Sequence, residues 1–242
     1  MCGRMTQQTD TSEVARIFAA EVADADRGER YNVAPTQPVT VVLERDSRRL
    51  VESHRWGLVP PWAVDISGSS RMINARAESV ERTPAYRVAF QRRRCIVPSD
   101  GFYEWRRLGT RRQPYLIRRQ DRGLLAFAGL WSVWPDPVSG EWLRSCSVIT
   151  TEANEIVGTL HDRMPVILDP DDWAIWLDPG RPDLALLRSL LVPAPSEGLE
   201  LVPVSTRVNN ANHEGADLIE PVDPPAWAAG ASAAETQTTL FG

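Results

Sequence analysis

Six short runs rich in β-branched and aromatic residues constrain the fold of this chain more than any other feature of its sequence. The runs are VTVVLE, RCIVPS, PYLIRR, LLAFAGLW, SCSVITT and MPVIL. Most are separated by Pro, Gly, Asn or Asp, which favour turns because of their backbone preferences or local hydrogen bonds. Short strands divided by such turns are typical of antiparallel sheets. We therefore expect several strands of a mainly antiparallel sheet.

Four other segments have helical patterns. The first is 11–26, in which Thr11 or Ser12 would be the N-cap and apolar residues recur at helical spacing. The other three, EANEIVGTL, PDDWAIWL and PDLALLRSLL, have acidic residues in their first turns, where a negative charge stabilises the helix dipole. Helices together with an antiparallel sheet predict the α+β class.

Length and composition predict one compact domain. The chain has 242 residues, of which 43% are apolar, and this is enough to build one sizeable core. After Pro221 the sequence becomes rich in Pro, Ala and Ser and loses its periodicity. We expect a folded domain over 1–222 and a flexible tail over 223–242. Neither a signal peptide nor a membrane span is expected, so we predict a cytoplasmic protein, associated with the nucleoid if it acts on DNA.

The cysteines predict reduced thiols. The chain has Cys2, Cys95 and Cys146, an odd number without a Cys-x-x-Cys pair, and only three histidines. A disulfide framework or a zinc site would need closer and paired spacings. We therefore expect neither a metal site nor a cofactor.

Positive charge is concentrated in one segment. Between Arg71 and Arg119 there are thirteen arginines and four acidic residues, although the whole chain has a formal net charge of -5. Such a segment can bind a phosphate backbone, while the acidic remainder opposes unselective binding. The alternative is a set of solvated arginines, and charge alone does not decide between the two. All 27 positive residues are arginine, so the N-terminal α-amine is the only primary amine.

Cys2 gives that amine a distinctive chemistry. If Met1 is removed, the first residue has an amine and a thiol on adjacent carbons. The amine can condense with an aldehyde to form an imine, and the thiol can add to the same carbon to close a thiazolidine ring. The ordinary pKa of an α-amine is near 8, well below that of lysine, so part of it is neutral at cellular pH. The alternative is that Cys2 is only a small residue after the initiator.

Three further polar residues stand in contexts that could support catalysis. Glu104 lies among aromatic residues in DGFYEW, where loss of solvent would raise its pKa. His161 follows a predicted helix, and Asn74 and Arg76 would share one face if MINARAES is extended. Each has a structural alternative: a surface salt bridge for Glu104, a helix C-cap for His161 and a turn for Asn74.

Eight motifs, in order from residue 2 to about 222, resemble the SOS response-associated peptidase family of abasic-site processing proteins. They are CGR, RYNVAPTQ, WGLVPPW, INARAE, RCIVPSDGFYEW, FAGLW, HDRMPVIL and GADLIEPV. The resemblance implies a single compact domain with a barrel-like β core, peripheral helices and a cleft for single-stranded DNA. It also implies a DNA repair function in which the mature N-terminal cysteine forms a stable thiazolidine crosslink with an abasic site.

The resemblance implies a role for each matching residue. Cys2 would be the nucleophile and Asn74 would hold its amino end and the sugar. Glu104 would transfer protons during ring opening, and His161 would assist imine formation or crosslink reversal. The DNA-binding positions would be Arg4, Pro35, Trp62, Arg76, Thr150 and Arg163.

The same resemblance implies further properties. The peptidase name refers to an autocatalytic removal of Met1, a hydrolase reaction, and the same residues would allow abasic-site lyase activity. Ala63 departs from the pattern, because we expect a second aromatic residue beside Trp62 in some members. We expect a monomer.

The C-terminal sequence QTTLF resembles the short peptides by which bacterial repair proteins bind the sliding clamp. Gln237 would hydrogen-bond at the rim of the clamp pocket, and Leu240 and Phe241 would fill it. Matches to so short a pattern also arise by chance.

Two alternatives from other classes stay open. Glutamine amidotransferases of the N-terminal-nucleophile type also begin Met-Cys-Gly and use the thiol to attack an amide carbon. Their Asn-Gly-Glu and His-Arg-Gly stretches are missing here. A noncatalytic single-stranded-DNA-binding module would account for the arginines but not for Cys2.

Overall fold

The computed structural model describes residues 2–23, 28–180 and 183–228, and β-strands dominate them. The strands are β1 (Met5–Gln7), β2 (Glu21–Val22), β3 (Arg30–Val33), β4 (Pro38–Arg45), β5 (Arg48–Trp56), β6 (Asn74–Arg76), β7 (Arg94–Ser99), β8 (Gly101–Leu108), β9 (Arg111–Arg119), β10 (Leu125–Pro135), β11 (Trp142–Glu152), β12 (Arg163–Pro165) and β13 (Leu199–Pro203). The helices are α1 (Thr11–Ile17), α2 (Pro84–Arg92), α3 (Glu155–Gly158), α4 (Trp173–Leu177) and α5 (Leu184–Ser189). Short 3₁₀ turns cover Ser67–Arg71, Pro170–Asp172, Thr206–Asn209 and Ala216–Ile219.

The strands form two sheets. The first has the order β13-β9-β8-β1-β3, and the second has the order β12-β11-β10-β7-β4-β5-β2. In the second sheet β11 also pairs with β5, so the path β11-β10-β7-β4-β5 closes into a five-stranded barrel-like core. Most pairings are antiparallel; those of β5 with β2 and β11, and of β6 with β11, are parallel. The predicted α+β fold with a mainly antiparallel, barrel-like core and peripheral helices is confirmed.

The second sheet is apolar on both faces because both faces are covered. Alternate residues of a strand point to opposite faces of its sheet. In β10, the residues on one face join a core cluster with residues of α1, α2, α4 and α5. The residues on the other face join a cluster with residues of the first sheet. Each fully buried large side chain in these clusters contributes about 1.5–3 kcal/mol. The two-sided burial explains why the strand runs lack alternation.

The sequence located the most apolar strands and missed the more polar ones. All six predicted runs contribute to strands, although MPVIL contributes only the end of β12. β5 was not predicted because its sequence, RRLVESHRW, has charged or polar residues at most positions. Two of these, Glu52 and His54, are nevertheless buried, with exposed fractions of 2% and 1%. Burial of a hydrogen-bonded polar pair inside a sheet leaves no hydrophobic pattern to detect.

The first helix is shorter than predicted: α1 ends at Ile17, and residues 21–22 already form β2. Ala19 has a φ of 49°, and the N–H groups of Ala19 and Ala20 donate to the carbonyls of Arg16 and Ala15. These bonds form a helix C-terminal motif that usually contains glycine. Because alanine occupies the left-handed position, the end of the helix has no signal in the sequence. The last predicted positions, 24–26, lie outside the described residues.

The end of the described chain packs on the first sheet. The side chain of Ala228 is buried, and its carbonyl accepts hydrogen bonds from Arg106 Nη1 at 2.7 Å and Tyr115 Oη at 2.9 Å. These contacts lie beyond the boundary predicted at residue 222; the flexible tail itself stays a prediction. None of the helices in the described ranges is long and apolar enough to cross a membrane.

Candidate functional site

Cys2 lies where the two sheets meet. β1 pairs with β8 of the first sheet, and the N–H of Tyr103 donates to the carbonyl of Arg4, which extends this pairing toward the N-terminus. The Cys2 carbonyl accepts a 2.7 Å hydrogen bond from Asn74 Nδ2, and Asn74 begins β6 at the edge of the second sheet. Residues from separate strands therefore converge on Cys2.

The Cys2 thiol is buried and neutral. Burial raises its pKa, the negative charge of Glu104 raises it further, and a hydrogen bond from the Arg4 backbone N–H acts in the opposite direction. Cys95 and Cys146 are also buried free thiols with pKa values raised by burial. Cys2 differs from both because a carboxylate acts on it. A neutral thiol resists oxidation, since the thiolate is the reactive form, and needs a proton acceptor to react.

Glu104 is suited to accept that proton. It lies on β8 with an exposed fraction of 3%, so the structure rules out the surface salt bridge considered for it. Burial raises the pKa of Glu104 to about 7, the charge of Arg107 acts in the opposite direction, and Asp162 raises it. A carboxyl group that titrates near neutrality can both accept and donate a proton at cellular pH.

Asn74 is held in place by strand pairing and not by a turn. β6 pairs with β11 in parallel, with Asn74 opposite Val148, and the Asn74 carbonyl accepts a 3.1 Å hydrogen bond from Tyr86 Oη. Its backbone is thereby fixed by α2 as well as by the sheet. The alternative that Asn74 forms a turn is wrong.

His161 lies beyond the end of α3, as predicted from the sequence. Two contacts at Nδ1 hold its ring in place. Nδ1 accepts a 3.0 Å hydrogen bond from the Arg163 N–H and lies 2.8 Å from Asp162 Oδ1. Burial lowers its pKa, Asp162 raises it, and the charge of Arg107 lowers it. The same two charged residues, Arg107 and Asp162, act on Glu104. Glu104 and His161 therefore share their charged neighbours. Glu104 in turn acts on Cys2, and Asn74 is joined to Cys2 by its hydrogen bond.

The three predicted phosphate-binding arginines differ in their partners. Arg76 is exposed and forms no ion pair within the described residues. Arg4 Nη1 donates to Asn32 Oδ1 at 2.6 Å and to the Val208 carbonyl at 2.7 Å.

Arg163 has the most partners of the three. It binds both carboxylate oxygens of Glu78 and the Thr150 carbonyl, at 2.6–3.0 Å. A phosphate would have to compete with Glu78 for Arg163, whereas Arg76 is open to it.

The remaining DNA-binding candidates fall into two groups. Trp62 is 59% exposed and lies in the loop after β5, and Pro35 is half-buried in the turn after β3. Thr150 is fully buried, and its hydroxyl lies 3.4 Å from the Ala75 carbonyl. Trp62 can stack on a base in this conformation, whereas Thr150 acts by holding Arg163.

Sequence reasoning missed three residues around the site. Asn32 anchors Arg4, Glu78 anchors Arg163, and Arg107 acts on both Glu104 and His161. Asn32 lies in RYNVAPTQ and Glu78 in INARAE, so both motifs contained the signal. Nothing in the local sequence distinguishes Arg107 from its arginine neighbours.

The chain is similar to proteins that process abasic sites. A family model described as SOS response associated peptidase (SRAP) matches residues 1–211. Abasic site processing protein YoqW of Bacillus subtilis is 38% identical over 223 residues, covering 91% of this chain and 99% of YoqW. Abasic site processing protein YedK of Escherichia coli is 29% identical over 231 residues, covering 92% of this chain and 100% of YedK.

A solved structure has the same fold. The crystal structure of a protein from Bacteroides thetaiotaomicron superposes with a TM-score of 0.83 at 26% sequence identity. The superposition covers 91% of this chain and 100% of that chain.

Proposed function

The chain belongs to the SOS response associated peptidase family, and we propose that it repairs DNA by capturing abasic sites in single-stranded DNA through a covalent bond to Cys2. The observation that carries this proposal is the convergence of two groups on the buried Cys2: Asn74 Nδ2 donates to its carbonyl at 2.7 Å, and the charge of the buried Glu104, whose pKa is raised to about 7, acts on its thiol. The names of YoqW and YedK, which describe processing of abasic sites, support the same substrate.

The proposed reaction begins after Met1 is removed. The α-amine of Cys2 attacks the aldehyde carbon of the ring-opened sugar, and loss of one water gives an imine. The thiol then adds to the imine carbon, so that a carbon–sulfur bond forms and the thiol proton ends on nitrogen. The product is a thiazolidine, and no oxidant or reductant is needed.

Separate steps of this reaction would be supported by Glu104, Asn74 and His161. Glu104 would donate a proton to the sugar ring oxygen as the ring opens and accept one from the thiol, because its pKa lies near cellular pH. Asn74, which binds the Cys2 carbonyl, would hold the attacking residue in position. His161 would assist proton transfers at the imine and, in reverse, release of the crosslink.

The DNA would be bound by phosphate contacts and by stacking. Arg76 is the first phosphate contact, since it is exposed and, although its charge acts on Glu78, it forms no ion pair with the described residues. Arg4 and Arg163 would complete the contacts, and Trp62 and Pro35 would pack against bases beside the lesion.

Three finer activities also belong to the proposal. The first is autocatalytic removal of Met1, as in the family's peptidase name. The second is abasic-site lyase activity from the imine, and the third is reversal of the crosslink. Each would use the residues already at Cys2.

We further propose that the folded domain, predicted over 1–222 and extended by the contacts of Ala228, is followed by a tail that binds the sliding clamp. The clamp-binding peptide, Gln237–Phe241, lies outside the described residues. Deleting 237–241 should abolish capture of the full-length chain by immobilised clamp. Unchanged capture would contradict the clamp proposal alone.

The test of the main proposal uses single-stranded DNA with one abasic site, followed by denaturing electrophoresis. We expect a shifted band that survives heating with the wild type. Cys2→Ser keeps the amine but cannot form the stable ring, so its band should be labile. Glutaminase activity without a shifted band would favour the amidotransferase alternative, and binding that is lost on heating would favour a noncatalytic module.

A further inference from the structure

The hairpin formed by β8 and β9 presents an unusual pair of arginines. Leu108 pairs with Arg111 across a two-residue turn, and Arg107 lies directly opposite Arg112. The turn begins at Gly109, whose φ of 58° favours glycine. This geometry places three exposed guanidinium groups, those of Arg107, Arg111 and Arg112, at the tip of the hairpin.

Within the described residues, none of these three guanidinium groups has an ion-pair partner. The segment 105–113 contains no acidic residue, and Arg107, Arg111 and Arg112 form no ion pair with the described residues. Like charges directly opposite each other on neighbouring strands destabilise a sheet. The hairpin therefore has an electrostatic cost that an anionic partner would remove.

The base of the hairpin is anchored near the site. Arg106 donates to the Ala228 carbonyl and lies over the ring of Tyr115, at 5.2 Å from its centroid. Arg107 is close enough to Glu104 and His161 for its charge to act on both. Arg107 thus links the tip of the hairpin to the reactive groups, and Arg112 lies directly opposite it.

We propose that Arg107, Arg111 and Arg112 bind backbone phosphates of the DNA strand that flanks the captured sugar. The inference rests on the proposed function, and it adds to the site a contact surface distinct from Arg4, Arg76 and Arg163. Consecutive phosphates of a single strand are the anionic partner that fits several guanidinium groups at a hairpin tip, because they repeat along one line.

Helix α2 supplies a matched control. Arg87 and Arg92 are exposed, lie in the same basic segment and have no ion-pair partner in the described part of the chain. α2 packs against β7 and β10 of the other sheet. The double variant Arg87→Gln/Arg92→Gln therefore changes the net charge by the same amount as Arg107→Gln/Arg112→Gln.

The experiment measures binding to a single strand of about 20 nucleotides, longer than a typical single-strand binding footprint. The strand contains one tetrahydrofuran abasic analogue, which lacks the aldehyde and so reports noncovalent affinity. We expect Arg107→Gln/Arg112→Gln to flatten the slope of log affinity against log salt by about 1.4, because each lost phosphate contact in a single strand contributes about 0.7. The α2 variant should keep the wild-type slope.

A slope unchanged in the hairpin variant, or reduced equally in both double variants, would overturn the inference. Thermal unfolding excludes a folding defect, because removing the two opposed charges should leave the melting temperature of Arg107→Gln/Arg112→Gln equal to or above that of the wild type. Covalent capture of a natural abasic strand by the wild type is measured in parallel. Its absence would count against the proposed function, whereas normal capture with an unchanged slope would count against the hairpin alone.

Discussion

Glu52 and Glu104 are both buried glutamates on β-strands, but their surroundings drive their pKa values in opposite directions. Burial raises the pKa of Glu52, but hydrogen bonds from His54 and Arg45 and the charge of Arg144 outweigh this and hold it at about 2. Burial also raises the pKa of Glu104, and because this effect outweighs the opposing charges, the pKa reaches about 7. A carboxylate such as Glu52, which accepts hydrogen bonds from several neighbours, stays ionised at cellular pH and stabilises the fold. A carboxyl group such as Glu104, whose pKa is raised to near neutrality by loss of solvent, can exchange protons at cellular pH.

The contacts around Glu52 fit a structural role. Oε1 accepts from Arg45 at 2.6 Å, and Oε2 lies 3.0 Å from His54 Nε2 and 3.6 Å from Arg144 Nη1. The ring of His54 also packs edge-on against Trp131, with centroids 6.0 Å apart. The carboxylate is thus fixed by partners from β4, β5 and β11 of one barrel.

The largest expected effect is on the rate of crosslinking, which should depend on Glu104 and not on Glu52. Glu104→Gln keeps the shape of the side chain but cannot transfer a proton, so crosslinking should slow by about 10²–10⁴-fold. Single-turnover capture of abasic single-stranded DNA measures the rate. Because the variant no longer buries an ionisable group, its unfolding free energy should not fall. A rate within twofold of the wild type would remove Glu104 from the chemical step.

The second prediction concerns stability. Glu52→Gln removes the buried carboxylate that accepts from Arg45 and His54 and lies near Arg144, so we expect the free energy of unfolding to fall by up to about 3 kcal/mol. Urea unfolding followed by tryptophan fluorescence measures the loss. The fraction that remains folded should crosslink at the wild-type rate. A slow chemical step with unchanged stability would reverse the roles assigned to the two glutamates.

The third prediction follows from the sign of each pKa shift. The pKa of Glu52 falls from 4.5 to about 2 on folding, so its stabilising contribution is present above pH 4.5 and is lost as the pH falls toward 2. The shift corresponds to about 3 kcal/mol. The unfolding free energy of Glu52→Gln should lack this acid-dependent loss. Parallel loss in variant and wild type would assign acid sensitivity to other groups.

Glu104 should behave in the opposite way. Because its pKa rises from 4.5 to about 7 on folding, it costs stability as the pH rises from 4.5 to 7. Glu104→Gln should therefore gain stability relative to the wild type over that interval, by up to a few kcal/mol. Equal pH profiles of unfolding for the two proteins would show that Glu104 titrates normally.

The smallest expected effect concerns Asn74, which positions Cys2 through its hydrogen bond to the Cys2 carbonyl. Asn74→Ala removes one neutral hydrogen bond to the Cys2 carbonyl, which is worth about 1 kcal/mol. We expect capture to slow by roughly fivefold to tenfold, with little change in noncovalent DNA affinity. Asn74→Asp is the matched control, because it keeps the size of the side chain but replaces the donor with a carboxylate. Recovery of the wild-type rate in Asn74→Asp would contradict a role as a donor.

The sequence indicated which residues could take part in the proposed chemistry, but not how strand pairing brings them together. The aminothiol at Cys2 and the aromatic surroundings of Glu104 are local features, so residue types alone indicated them. The convergence of Cys2 with Asn74 and His161 depends on pairing between strands far apart in sequence, which local patterns do not encode. It could be expected only from the family resemblance.

The parts of the fold that were missed have physical causes. The end of α1 depends on a left-handed alanine, Ala19, where glycine would have been a recognisable signal. β5 contains the buried Glu52–His54 pair, and a buried polar pair resembles a solvent-exposed pattern in the sequence. The anchoring of Arg163 by Glu78 joins the start of β12 to the turn after β6 and has no local signature.

Intact-mass spectrometry of the purified protein, before and after exposure to single-stranded DNA with one abasic site, tests covalent capture at Cys2 most directly. We predict that the protein lacks the mass of Met1 and gains the mass of the oligonucleotide less one water, and that peptide mapping places the added mass on Cys2. Retention of Met1 in protein purified from cells, or an unchanged mass after exposure to abasic DNA, would contradict the account.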